Sequence, residues 1–218
     1  MIAFLGTGLL GANFTKALLQ KGESLQVWNR TTEKAKALES FGAKAFETPA
    51  AAVNGAERVH ITLSDDVVVD AVLEQAEPGL APGAFLIDHT TTSVDGARNR
   101  TTTWAAKGFT YIHAPVFMGP SNALDSSGFM LISEAPERTK QLSPWLSAMT
   151  GKLLDLGHQP GKAAGIKLLG NLFLLTLTGG LSDMLSLAKS MGLDGTDIST
   201  LFESFNPGAA APARLKRL

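Results

Sequence analysis

One short stretch near the chain start constrains the fold most. Gly6-Thr7-Gly8-Leu9-Leu10-Gly11 spells G-x-G-x-x-G, with an apolar run (Ile2–Leu5) before it and a segment of helical period (10–20) after it. Alone, the spelling is weak. Between a strand and a helix it describes the turn that lays backbone against a dinucleotide pyrophosphate. The first glycine allows the tight turn, the second removes a Cβ from the pyrophosphate's approach, and the third lets helix and strand pack closely. The helix start adds free N–H groups and partial positive charge. All six residues, Gly6 to Gly11, are predicted to line a cofactor.

The rest of the chain supports this. Strand-like runs at 25–28, 44–46, 59–63, 85–88, 111–116, 129–133 and 152–156 are interleaved with helical segments at 32–40, 49–54, 66–75, 94–107 and 136–149. Such spacing means βαβ crossovers and a parallel sheet covered on both faces. The alternation stops at the Gly/Pro-containing stretch 157–161. A long helix (162–191) and a shorter one (196–204) follow, then a loose Pro/Ala segment at 209–213. The expected architecture is α/β. Residues 1–160 form a Rossmann-type, doubly wound, mostly parallel sheet. Residues 161–218 form a long interdomain helix and the start of a shortened all-α domain for substrate and dimerisation.

Composition excludes several function classes. Hydrophobic residues make up 44% and charged residues 18%, which suits a packed core. A net charge of -1 leaves no footprint for nucleic acid or an anionic membrane. The absence of cysteine removes disulfides, thiolate metal sites and a Cys nucleophile. The four histidines, His60, His89, His113 and His158, have no metal-ligand spacing. Met1 leads into Ile2 without the basic region of a signal peptide. The strongest apolar stretch, 168–181, is read as too short for a bilayer and is interrupted by glycines and threonines. A soluble, cytoplasmic protein is expected.

The second strand ends at Trp28-Asn29-Arg30-Thr31. A site for NAD usually offers Asp or Glu here to the ribose hydroxyls. This chain offers Asn29 and then Arg30, whose guanidinium attracts a 2′-phosphate that a carboxylate would repel. Thr31 adds a hydroxyl and can also cap the next helix. NADP is predicted over NAD, with NAD still able to bind.

Four segments, in order, resemble the β-hydroxyacid dehydrogenase family, the group of 3-hydroxyisobutyrate dehydrogenase and glyoxylate/succinic semialdehyde reductase. They are the glycine turn with Asn29-Arg30-Thr31, then Asp88-His89-Thr90-Thr91-Thr92, then Ala114-Pro115-Val116-Phe117-Met118-Gly119, and last Gly165-Ile166-Lys167-Leu168-Leu169-Gly170-Asn171. The resemblance covers essentially the whole chain. It implies an NAD(P)-dependent dehydrogenase or reductase acting on CH–OH groups. It implies Lys167 as general acid/base, Asn171 as its companion, and Thr91 at the nicotinamide ribose or substrate. Leu63 and Ser64 match a cofactor-lining loop. Phe117, Met118 and Gly119 match the substrate segment. The residues agree in part: Lys167 and Asn171 are four apart and share one helix face. An ammonium placed there can stabilise developing alkoxide and supply a proton.

Other residues read more plainly. One of the threonines 90–92 is expected to cap the helix after them. Asp65-Asp66 reads as a helix start, and His89 as structural or as a second acid. The pattern departs at Phe117, where the family has a serine that binds a substrate carboxylate, and at Met118, where it has glycine. A bulkier or less polar carbonyl, or an imine, becomes credible as substrate. A second departure is length, since the family's helical domain continues further. A non-catalytic dinucleotide-binding module is the alternative of a different class. The apolar circumference of the long helix predicts a homodimer or higher oligomer.

Overall fold

The computed structural model describes residues 1–217. Six parallel strands form the main sheet: β1 (Ile2–Leu5), β2 (Leu25–Trp28), β3 (Lys44–Ala45), β4 (Arg58–Ile61), β5 (Phe85–Asp88) and β6 (Thr110–His113). Their order is β3-β2-β1-β4-β5-β6, so the winding reverses between β1 and β4. Open parallel sheets bind ligands at such a reversal, beyond the strands' carboxyl ends. Every residue of β1, β2 and β4 is buried, as strands covered on both faces require.

Helices α1 (Leu9–Gln20), α2 (Thr32–Lys36), α3 (Pro49–Val53), α4 (Asp66–Ala76) and α5 (Val94–Ala106) provide the crossovers. The helix expected over 32–40 breaks after Lys36, and a 3₁₀ turn, Glu39–Phe41, ends at Gly42 with φ +101°. Apolar side chains divide between the two faces. One core joins Phe4, Phe14, Ile87 and Ile112, and the other joins Leu5, Ile61, Leu73 and Leu86.

The run expected as one strand over 111–116 is two. β6 stops at His113, and β7 (Val116–Phe117) belongs to a second sheet with β8 (Phe129–Ile132) and β9 (Lys152–Asp155). Pro115 lies between them and has no N–H to continue a ladder, so its carbonyl turns to accept from Leu131 N instead. β7 runs antiparallel to β8, with Phe117 opposite Phe129. A helix absent from the sequence-based expectation, α6 (Pro120–Leu124), joins β7 to β8, and α7 (Pro136–Ser147) joins β8 to β9.

The 29-residue α8 (Lys162–Ser190) follows. Compactness divides the chain inside this helix, into Met1–Leu169 and Gly170–Leu218. The second unit contains the rest of α8, then α9 (Gly195–Ser204), a 3₁₀ turn (Pro207–Ala210) and α10 (Ala211–Leu215). The segment expected to be loose near 209–213 is therefore helical.

Candidate cofactor and active site

The glycine turn sits at the winding reversal. Gly6 has φ +93°, and a Cβ there would lie 2.1 Å from the Thr62 carbonyl oxygen. A Cβ on Gly11 would lie 1.9 Å from the Gly6 carbonyl oxygen. Both positions are closed to side chains by backbone. Gly8 differs: a Cβ there would meet nothing within 4 Å, so its Cα faces open space. Gly8 is also the N-cap of α1 and makes no side-chain cap, and the first turn holds no acidic residue. The first-turn N–H groups of α1 therefore point outward without an internal acceptor.

Beside the turn lies a cavity of about 300 Å³ lined by Gly6, Asn29, Arg30, Thr31, Leu63 and Ser64, all expected from the sequence. It is also lined by Trp28, Lys34, Thr62, Val68 and Val72, which the sequence reading missed. Lys34, in the first turn of α2, and Arg30, just before that helix, give the cavity two cations. Asn29 is less free than expected: its Oδ1 accepts from Thr7 N (3.0 Å) and its Nδ2 donates to the Thr31 carbonyl (3.0 Å). It fastens β2's end to the glycine turn. Thr31 occupies the N-cap of α2 without a side-chain cap bond, which leaves its hydroxyl to the cavity.

The three threonines after β5 divide their roles. Thr90 is buried and its Oγ1 accepts from Leu63 N (2.9 Å), tying this segment to the loop after β4. Thr92 is buried against His113 (3.1 Å). Thr91 alone is exposed, as a ligand contact requires. None of them caps α5; Ser93 does, accepting from Gly96 N (2.9 Å). Asp65 caps α4 as expected, accepting from Val68 N. Asp66 instead pairs with Arg100, which also holds Asp70 and donates from Nε to the Tyr111 hydroxyl. Tyr111 donates to Asp88 Oδ2 (2.6 Å), and Asp88 Oδ1 accepts from Thr90 N (2.8 Å). The segment 88–93 thus hangs on one continuous polar network.

His89 is structural. It is buried, and its Nδ1 lies 2.8 Å from the Ala114 carbonyl, which can only accept. Nδ1 therefore carries the proton, and Nε2 accepts from His60 Nδ1 at 3.0 Å. The two rings are nearly coplanar, with centroids 5.3 Å apart and planes at 11°, the geometry of an in-line hydrogen bond and not of face stacking. Burial holds both imidazoles below their ordinary pKa, His89 at about 4, so they are neutral at pH 7. Neither can serve as a second acid. Among the described residues no cluster of metal-ligating side chains occurs.

Lys167 lies in the first compact unit with the 114–119 segment. Its Nζ sits 4.1 Å from the centre of the Phe117 ring. Burial lowers its pKa, which makes the ammonium a stronger acid. Met118 and Gly119 continue the turn beyond Phe117, and Gly119 N donates to Asn122 Oδ1 (2.9 Å). Asn171 is one turn further along α8, in the second unit.

The residues of the first unit fit a dinucleotide. Gly8 opens onto free space, α1 begins uncapped, and the buried hydroxyls of Thr7 and Thr62 have no partner among the described residues. Residues 1–157 match the family model described as the NAD binding domain of 6-phosphogluconate dehydrogenase. The uncharacterized oxidoreductase YfjR of Bacillus subtilis is 30% identical over 197 residues, covering 88% of this chain and 68% of that protein. The chain belongs to the β-hydroxyacid dehydrogenase family. It is accordingly an NAD(P)-dependent oxidoreductase, and its first domain binds a nicotinamide dinucleotide. An imine reductase of Streptomyces aurantiacus has a similar structure, with TM-score 0.90 and 26% identity over 99% of this chain and 75% of that one. The 3-hydroxyisobutyrate dehydrogenase of Mycobacterium tuberculosis shares the fold, with TM-score 0.83 and 24% identity over 93% of this chain and 70% of that one.

Helix α8 corrects one expectation. Its apolar stretch is not too short to cross a bilayer: the helix has 29 residues, and an 18-residue window of it reaches a mean hydropathy of 1.4. The imine reductase match spans 99% of this chain and so includes this helix, which makes it an element of an oxidoreductase fold.

Proposed function

We propose that this chain is an NADP-dependent oxidoreductase that interconverts a small carbonyl compound and its alcohol or hydroxyacid, with Lys167 as general acid/base. The observation that carries this reading is the Lys167 ammonium, partly desolvated and held beside the 114–119 segment. When bound, the cofactor supplies or accepts the hydride. Gly6 to Gly11 hold its pyrophosphate; Asn29, Arg30, Thr31 and Lys34 hold its adenosine end; Leu63, Ser64 and Thr91 border its nicotinamide half. Lys167 protonates the carbonyl oxygen as negative charge develops there, and in reverse takes the hydroxyl proton. Asn171 orients the ammonium or holds the substrate. An imine is the second reading, favoured by Phe117, which offers no donor to a substrate carboxylate. A screen of NADPH oxidation over aldehydes, keto acids and imines tests the proposal; no turnover on any class would sink it.

Cofactor choice rests on Arg30 and Lys34. Arg30→Ala is expected to weaken NADP by about 1.5–3 kcal/mol, the range for a charged hydrogen bond, and to leave NAD nearly unchanged. Titrating both cofactors against the variant checks this, and equal losses for the two would refute the assignment.

We also propose a cytoplasmic homodimer, or higher, with small-molecule substrate and neither nucleic acid nor membrane as partner. In the second unit Leu172, Phe173, Leu174 and Leu175 are each more than half exposed. Contiguous apolar surface of this kind is rare on soluble monomers. A second copy placing α8 against its symmetry mate would cover it. Sedimentation velocity at micromolar concentration is expected to give a dimer or larger; a clean monomer that binds no apolar dye rules this out.

A further inference from the structure

Phe117 stands where the family's carboxylate-binding serine is expected, and the fold fixes it there. Its backbone is paired with Phe129 across β7 and β8. Gly128, at φ +79°, packs so closely that a Cβ would lie 3.0 Å from the Phe117 carbonyl oxygen and 2.9 Å from Met118 Cγ. Asn122 bridges Gly119 N and Ser127 Oγ and closes the turn. These contacts fix the Phe117 backbone, and the Lys167 ammonium lies 4.1 Å from the centre of its ring. Among the described residues no carboxylate forms an ion pair with Lys167. Burial lowers its pKa. The aromatic quadrupole attracts the ammonium at this distance.

We propose that Phe117 is a positioning and specificity residue: its ring face seats the Lys167 ammonium, and the subsite it walls takes substrates bearing an uncharged, apolar group where relatives of this family take a carboxylate. This rests on the reading of Lys167 as proton donor. Two physical consequences lead to the substrate class. A carboxylate entering here finds neither the serine hydroxyl nor any other side-chain donor on Phe117 or Met118, so its desolvation goes poorly compensated. The Lys167 ammonium lies beside this ring, and a carboxylate pairing with it would draw Lys167 off the ring and away from the reacting oxygen. A neutral aldehyde, ketone or imine with an aliphatic or aromatic substituent packs against the ring and leaves the ammonium free.

The test uses the full chain with NADPH and the variants Phe117→Leu, Phe117→Tyr and Phe117→Ser. Leu keeps apolar bulk and removes the ring face, while Tyr keeps the face. Lys167 is titrated by ζ-ammonium NMR, and kcat and KM are followed against pH for a neutral aldehyde and the ω-carboxylated aldehyde of matching length. Phe117→Leu is expected to lower the Lys167 pKa further and move the basic limb of kcat to lower pH, with KM for the neutral aldehyde little changed. Phe117→Tyr is expected to restore the wild-type titration. Phe117→Ser is expected to shift kcat/KM toward the carboxylated aldehyde by about tenfold or more. A Lys167 titration unmoved in Phe117→Leu, or a preference unmoved in Phe117→Ser, overturns the proposal. A titration that moves while Lys167→Ala keeps its rate upholds the contact and overturns instead the proton-donor reading beneath it.

Discussion

Lys167→Ala is expected to lower kcat by a factor on the order of 10²–10⁴, the usual yield of a positioned general acid, while cofactor affinity stays near wild type. The two effects separate because the side chains lie on different elements. The pyrophosphate turn is at the head of α1, and Lys167 is in the second turn of α8. The magnitude follows from what is removed. Hydride arriving at a carbonyl carbon leaves charge on oxygen, and without Lys167 water must supply the proton. Burial already lowers the pKa of this ammonium, which brings it closer to the poise that proton transfer near neutrality favours. Single-turnover rates with preformed enzyme and NADPH check the chemistry, and fluorescence titration of NADPH checks binding. A variant that retains most of its rate would remove Lys167 from the mechanism. One that loses rate and cofactor together would make it a structural residue.

The glycine turn is legible because its chemistry is local: strand, three glycines and helix lie within twenty residues, with Gly6 and Gly11 closed to side chains by backbone and Gly8 opening onto free space. The division of 111–116 into two strands was not legible from periodicity. Tyr111 to Val116 alternates like one strand, yet Pro115 ends the ladder and sends Phe117 into another sheet. That one redirection places Phe117 against Lys167, a contact between residues fifty positions apart. Lys34 was overlooked because a lysine in a short charged helix reads as a solvated face. Its spacing of four from Arg30 was the available signal. Four consecutive hydroxyl residues precede α5, and only backbone geometry selects Ser93 as its cap in place of the neighbouring threonine. The histidine pair had no signal at all. His60 lies on β4 and His89 just past the end of β5, and their hydrogen bond depends on β4 and β5 being neighbours with His60 opposite Ile87.

Those histidines make the fold sensitive to acid. Burial holds His60, His89 and His113 below the ordinary value of 6.5, His89 at about 4. Between those limits His89 is neutral when folded and charged when unfolded, and His60 and His113 act in the same direction. A native state that binds fewer protons than the unfolded chain loses stability as pH falls. For His89 alone the displacement amounts to roughly 3 kcal/mol once pH is below its folded value. Protonating His89 places a proton on Nε2, against the His60 Nδ1–H that donates to it across 3.0 Å inside the core. Glu134 acts in the opposite direction. Burial raises its carboxyl to about 7, partly offset by Arg138, so the folded state keeps a proton that the unfolded chain releases down to about 4.5. His60, His89 and His113 all take up protons on unfolding while Glu134 releases one, so proton uptake prevails and stability falls with pH below about 6.5. Urea midpoints measured from pH 7 to 4.5 are expected to fall accordingly. Glu134→Gln should steepen the fall by about one proton, since its opposing contribution is gone. Midpoints that stay level or rise on acidification would mean that the three imidazoles are already charged in the folded protein. The hydrogen bond from His60 to His89 would then not exist in the form its geometry requires.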